Sequence, residues 1–347
     1  MQNRLSDDLD HILHHTQNDW EELRGQRIFI TGGTGFFGCW LLESFLWANE
    51  KLELNAQAVV LTRDAEKFGR KVPHLAHHPA ISLHEGDVQS FKFPAGEFSH
   101  IIHAATDASA TLNATHPTEM LETVVFGTRR VLDFAASCKA RKFLLTSSGA
   151  VYGRQPAQMT HIPESYAGAP DVTQSAAAYG EGKRIAELLC VLYARNHDFE
   201  VKIARCFAFV GPYLPLDATY AIGNFIRDGL NGNTICIQGD GTPRRSYLYA
   251  ADLTIWLWKM LFHAPSGRAY NVGSEQELSI AKVAYATKQA FNDSINVEIK
   301  EQALSGAPVQ RYVPSVARAR DELGLQPTFD LAQSLQKTIC WHREHIL

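Results

Sequence analysis

The chain has 347 residues, is 45% hydrophobic, and carries 37 acidic side chains against 33 Lys and Arg for a formal net charge of -4. With no block of like charge, neither nucleic acid nor a membrane surface is indicated as a partner, and an anionic ligand must be met by local positive charge. No run reaches the ~18 apolar residues of a membrane span, and the length suits one large α/β domain with a smaller second lobe.

Residues 1–24 place Leu5, Leu9, Ile12, Leu13, Trp20 and Leu23 at roughly helical spacing until Gly25 breaks the run. This predicts a helical extension that packs on the rest of the chain. His11, His14 and His15 stand there without a carboxylate or cysteine framework at ligand spacing, so they are expected on a solvated helix face and not around a metal. Cys39, Cys138, Cys190, Cys206, Cys236 and Cys340 form no CxxC pair. Neither an Arg-rich leader nor an apolar signal run precedes the first strand, and a reducing cytoplasm is expected.

The segment RIFITGGTGFFG then joins a β-branched and aromatic run, 28–31, to Gly32, Gly35 and Gly38 and to an amphipathic run, 39–49. Strand, tight turn and helix in that order are the dinucleotide-binding unit, with the anion at the positive helix end. Gly32 would permit the sharp turn, Gly35 would let backbone N–H groups approach a pyrophosphate, and Gly38 would bring helix against strand. A second strand is predicted over Gln57–Thr62, followed by Arg63 and Asp64. An acid at that point holds a ribose 2′-hydroxyl, whereas an Arg accommodates a 2′-phosphate. The arrangement leans toward NADP(H) over NAD(H); Asp64 turned inward, or Arg63 as an ordinary surface residue, is the alternative.

Strand-like runs recur at Ile81–Glu85, before Gly86-Asp87-Val88, and at 100–104, with helical patterns between them. The fold class expected is therefore α/β, a Rossmann-type doubly wound parallel sheet covered on both faces. Apolar residues at helical spacing over 118–138 lead to a strand over 142–147, whose tail TSSGAVYG puts small hydroxyls where open α/β sheets bind ligands. The next helical run, 176–196, carries Tyr179 and Lys183 four residues apart and so on one face. An ammonium there would stabilise the phenolate, lower a pKa normally near 10, and make Tyr179 an acid or base near neutral pH.

TGGTGFFG, GDV at 86–88, HAAT at 103–106, TSSGAVYG at 146–153, YGEGK at 179–183, RCFAFVGP at 205–212 and RRSYLYAADL at 244–253 occur in the order of an extended short-chain dehydrogenase/reductase. The resemblance spans about 26–340 and is to the nucleotide-sugar epimerase, dehydratase and decarboxylase group, in which consistency across levels is the criterion. It implies Tyr179 as catalytic acid/base, Lys183 on the nicotinamide ribose, and Ser148 on the reacting sugar hydroxyl. It also implies an NADP or NAD site formed by Gly32, Gly35, Phe36, Phe37, Gly38, Arg63, Asp87, Val88, Ala104, Ala105 and Thr106 together with Tyr179 and Lys183. Asn224 and Arg245 match positions that hold the diphosphate of a nucleotide sugar, for which an Arg fork suits better than Lys; Arg244 is expected to face solvent. The domains expected are a helical extension 1–25, a dinucleotide-binding domain 26–212, and a mainly substrate-binding lobe 213–347 with some return of the chain to the first domain. The family commonly pairs protomers through a four-helix bundle, so a homodimer through 118–138 and 176–196 is expected.

The sequence also departs from the pattern. Ser148-Gly149-Ala150 stand where 4,6-dehydratases carry Thr-Asp-Glu and where UDP-glucuronate decarboxylases carry a Glu at the position of Ala150. Ala208 and Val124 replace two usual Asn residues. What remains is machinery for hydride transfer at one carbinol carbon. It suits a 4-epimerase first, then an NADPH-dependent 4-ketoreductase, a decarboxylase, or a dinucleotide-binding protein without catalysis.

Overall fold

The computed structural model describes residues 3–105, 110–217, 220–303, 306 and 308–346. Helix α1 (Ser6–Thr16) leads to β1 (Arg27–Thr31) and α2 (Phe36–Lys51), and then to β2 (Gln57–Thr62), α3 (Ala65–Lys71), α4 (Pro73–Ala76) and β3 (Ile81–Glu85). After β4 (His100–His103) come α5 (Ala110–Thr115), α6 (Pro117–Ser137), β5 (Lys142–Ser148), α7 (Ala178–Asn196) and β6 (Glu200–Cys206). A seventh strand, Ala269–Val272, pairs with β6 and completes an all-parallel sheet in the order Ala269–Val272, β6, β5, β4, β1, β2, β3. From β1 the chain winds outward to β3 and then returns to the other side of β1 as β4. The order therefore reverses between β1 and β4, the crevice where doubly wound sheets take their ligands.

Side-chain alternation along β1 divides the core. Ile28 and Ile30 join the layer built from α2 and α9 (Ala250–His263), whereas Phe29 joins Phe91, Phe98 and Phe134 under α6 and α7. A third core, including Ile222, Phe225, Ile235, Val283, Phe291 and Leu335, fills the smaller lobe around α8 (Ala221–Leu230). Before Ala269–Val272 joins the large sheet, α9 already lies on its face.

The helical spacing of 1–24 resolves into α1 and a separate short turn, Trp20–Leu23, and both are built into the core. Asp8 of α1 accepts hydrogen bonds from Tyr249 Oη at 2.7 Å and Lys337 Nζ at 2.8 Å. The covering of α9 by this segment explains why α9 is buried on nearly every side. Trp20 is fully buried, donates to Thr16 Oγ1 at 2.9 Å, and packs on Trp258 at 4.6 Å between ring centroids. Trp20→Ala is expected to cost about 3–5 kcal/mol, read as a lower urea midpoint; a loss under ~0.5 kcal/mol, within the range of surface substitutions, contradicts the packing role.

Candidate functional site

At the end of β1, Gly32 has φ +73°, and a Cβ there would lie 2.4 Å from the carbonyl oxygen of Ala104. A Cβ on Gly38 would lie 2.3 Å from the Gly32 oxygen, so turn, helix and neighbouring strand close on one another only without side chains. Gly35 differs, because a Cβ there would meet only the Gly32 oxygen, at 3.4 Å. Protein packing does not demand that glycine; it leaves open the approach to the first turn of α2, which has no side-chain cap. Uncapped N–H groups at the start of a long helix make a cradle for a pyrophosphate, and these residues fit a dinucleotide. Phe36 and Phe37 turn their rings into the protein, Phe37 edge-on to Phe209 at 5.1 Å, which leaves backbone N–H groups as their offer to a ligand.

Along the rest of this crevice, Asp64 accepts from the Lys67 N–H at 2.8 Å and caps α3, so its carboxylate is engaged and Arg63 stands exposed at the end of β2. Asp87 accepts from the Gln89 N–H at 2.9 Å, and Val88 is buried against Gly127. Ala104 and Ala105 donate to the main chain and the hydroxyl of Thr31, each at 3.1 Å. Thr106 lies outside the described residues. Val124, in place of the usual Asn, is buried against Gly182 of α7.

The hydroxyl-rich end of β5 meets α7 as the spacing requires. Ser148 Oγ accepts from the Ala150 N–H at 3.1 Å, and the Ser148 hydroxyl acts on the Tyr179 phenol so as to favour its ionised form. Lys183 Nζ donates to the Thr146 carbonyl at 2.8 Å and lies 5.9 Å from the centre of the Tyr179 ring. Burial pushes the Lys183 ammonium down to about 8. Burial also pushes the Tyr179 phenol above its ordinary 10, and the Ser148 hydrogen bond opposes this. A phenol below its ordinary value, the net result expected from the sequence, is not found: desolvation outweighs the opposing effect of Ser148.

Sequence reasoning missed Tyr312. Its Oη lies 3.5 Å from Ser148 Oγ, and a Cβ on Gly149 would come within 2.7 Å of both that oxygen and Phe207 Cζ. The glycine at 149 was the available signal, but only the fold reveals what fills its side-chain space. Tyr312 pairs in register with Arg245, whose charge acts on the Tyr312 phenol. Ser148, Tyr179, Lys183, Tyr312 and Arg245 are therefore brought into one region. Asn224 is not hydrogen-bonded to this group; its Oδ1 accepts from Arg227 Nη1 at 3.0 Å. Arg244 is corrected as well, being half-buried with Nε 3.7 Å from Glu277 Oε1 instead of facing solvent. Among the described residues no cluster of ligating side chains could hold a metal.

Residues 28–273 match the model of the NAD dependent epimerase/dehydratase family. The chain belongs to that family. It is 33% identical to UDP-glucuronic acid decarboxylase 3 of Arabidopsis thaliana over 89% of this chain and 86% of the relative. Identity to UDP-glucuronic acid decarboxylase 1 of Xenopus tropicalis is 31%, covering 92% of this chain and 73% of the relative. The fold is that of UDP-glucose 4-epimerase from Thermotoga maritima, with TM-score 0.77 and 20% identity over 92% of this chain and 100% of the other. As a member of the epimerase/dehydratase family the chain is an NAD-dependent enzyme of the extended short-chain dehydrogenase/reductase type.

Asp64 Oδ1 caps α3, and Arg63 beside it is exposed. We expect NADP(H) to bind at least as well as NAD(H), and Arg63→Ala to weaken NADP(H) by roughly tenfold, the equivalent of one charge-assisted contact, with NAD(H) little changed. Titration calorimetry with both dinucleotides checks this, and an equal loss for both removes Arg63 from phosphate recognition.

Proposed function

We propose that this chain is a nucleotide-sugar 4-epimerase, which oxidises the carbon-4 hydroxyl of a sugar and returns hydride to the opposite face of the ketone. The observation that carries this reading is the make-up of the reaction centre. Hydroxyls come from Ser148, Tyr179 and Tyr312, and the side-chain space of Gly149, where an acid for water elimination would stand, is taken by Tyr312 and Phe207. Epimerisation moves one proton at one oxygen and needs no second acid. In this scheme Tyr179 takes the proton from the carbon-4 hydroxyl and gives it back, Ser148 holds the same oxygen, and Lys183 holds the cofactor ribose. The nicotinamide, when bound, supplies hydride acceptance and return. Residues 26–212 bind the dinucleotide, and Asn224 and Arg245 in the lobe 213–347 grip the diphosphate.

A second reading, decarboxylation of UDP-glucuronate, is favoured by the names of the relatives at 31–33% identity. Oxidation at carbon 4 of a uronate gives a β-keto acid, which can lose carbon dioxide without further oxidation. Ketoreduction with NADPH is the third, favoured by exposed Arg63. A panel of UDP-, dTDP-, CDP- and GDP-sugars including UDP-glucuronate, each with and without NADPH, separates them. We expect the carbon-4 epimer with no net change in nicotinamide absorbance. A pentose with carbon dioxide would establish the second reading, stoichiometric NADPH oxidation the third, and dinucleotide binding without turnover a non-catalytic protein. Tyr179→Phe keeps the ring and should lower turnover by about 10²–10⁴-fold while retaining dinucleotide binding.

We further place the enzyme in the cytoplasm as a homodimer. The unpaired state of all six cysteines supports the compartment. The paired helices α6 and α7 leave Phe126 53% and Leu188 58% exposed, beside Ile185, Val191 and Leu192. Such a patch on neighbouring helices suits a second copy of the same face. Sedimentation should give a dimer at micromolar concentration and a monomer for Leu188→Glu; a monomeric wild type overturns the assignment.

A further inference from the structure

We infer that Tyr312 is a positioning residue for the acid/base group, donating its phenol proton to Ser148 so that Ser148 donates its own to Tyr179 whenever Tyr179 is ionised. The argument is a count of hydrogen-bonding capacity. A serine hydroxyl offers one proton and two lone pairs. One lone pair of Ser148 accepts the Ala150 N–H at 3.1 Å, which in the complex without sugar leaves one lone pair and one proton for two phenols, Tyr179 and Tyr312. An ionised Tyr179 can only accept. Ser148 must then give its proton to Tyr179, and its remaining lone pair is filled only if Tyr312 donates. When Tyr179 is protonated the order of the chain can reverse, so Tyr312 prefers one charge state of its neighbour.

Three features hold Tyr312 in place for this. The Phe207 ring packs on it at 4.7 Å between centroids, the bare Cα of Gly149 leaves room for its oxygen, and its strand, Arg311–Tyr312, pairs with Arg244–Arg245. The 3.5 Å separation from Ser148 is longer than a settled O–H···O contact, as catalytic hydrogen bonds commonly are before substrate binds. Among the described residues, the groups that act on the Tyr179 phenol are Ser148 at the end of β5, Tyr312, Tyr220 before α8, and Cys206 at the end of β6, with Lys183 on the same helix.

The inference rests on the acid/base role proposed for Tyr179, and its test reads Tyr179 directly instead of turnover. Protein labelled with ¹³C at tyrosine Cζ and saturated with NAD⁺ is titrated by NMR, with the Tyr179 resonance assigned by its absence from Tyr179→Phe. Tyr312→Phe removes the donor, and Gly149→Ala places a methyl where the Tyr312 oxygen lies. Each should raise the Tyr179 midpoint by roughly half to one pH unit, the worth of one net hydrogen bond, with no loss of NAD⁺ affinity; Ser148→Ala should raise it at least as far. An unchanged midpoint in folded Tyr312→Phe overturns the inference, and so does a Tyr179 that never ionises in the wild-type complex. If the midpoints move as stated while no nucleotide sugar is turned over, the hydrogen-bond chain stands and the epimerase reading falls.

Discussion

The site depends first on a contact that only missing side chains allow. Gly32 lies against Ala104, and Gly38 against Gly32, at distances a Cβ would reduce to 2.3–2.4 Å. Because β1 and β4 are neighbours at the point where strand order reverses, this contact fixes both walls of the crevice and the direction from which α2 points its uncapped end. A methyl at either position would push the helix from the strand or the strand from its neighbour, and the anion cradle would open.

Next to Ser148 and Lys183 a buried ionic network ties the ends of the strands to α7. Glu187 accepts from Ser147 Oγ at 2.6 Å and from Arg205 Nη2 at 2.7 Å; Arg205 also donates to Tyr152 Oη at 2.9 Å, which in turn donates to Asn271 Oδ1 at 2.7 Å. β5, β6 and the strand Ala269–Val272 are thereby locked to the helix that carries Tyr179 and Lys183. Removing either Glu187 or Arg205 would leave an opposite charge buried without its partner, so the network is expensive to break. That rigidity allows two hydroxyls and an ammonium to be held at fixed separations in a desolvated place.

Much of this was legible in the sequence because it is local. The glycine turn, the strand ends and the four-residue spacing of Tyr179 and Lys183 each lie within one short segment, and the strand-like runs Gln57–Thr62 and Ile81–Glu85 are strands. The split of residues 1–24 into α1 and a short turn was less visible, since helical spacing runs straight through both. Tyr312 was not legible at all. It sits on a two-residue strand, far from Ser148 in sequence, and no periodicity marks it. Residue types also misled about electrostatics: a lysine four residues from a tyrosine suggests a stabilised phenolate, whereas burial controls both groups and spacing says nothing about burial. Arg244 and Arg245 show the same limit, because adjacent strand residues face opposite ways and only the fold says which one meets Glu277.

The pairing of Arg244–Arg245 with Arg311–Tyr312 has a consequence for how a substrate's distant parts are used. On the proposed assignment, the strand that grips the diphosphate lies directly beside the strand that delivers the second phenol to Ser148. Attraction for the nucleotide end, which takes no part in the chemistry, would then steady the hydroxyl chain at the sugar end, and affinity would be converted into rate. A free sugar, lacking that handle, would meet the same side chains in a looser arrangement, so selectivity for the nucleotide-linked form would be expressed in turnover as well as in binding.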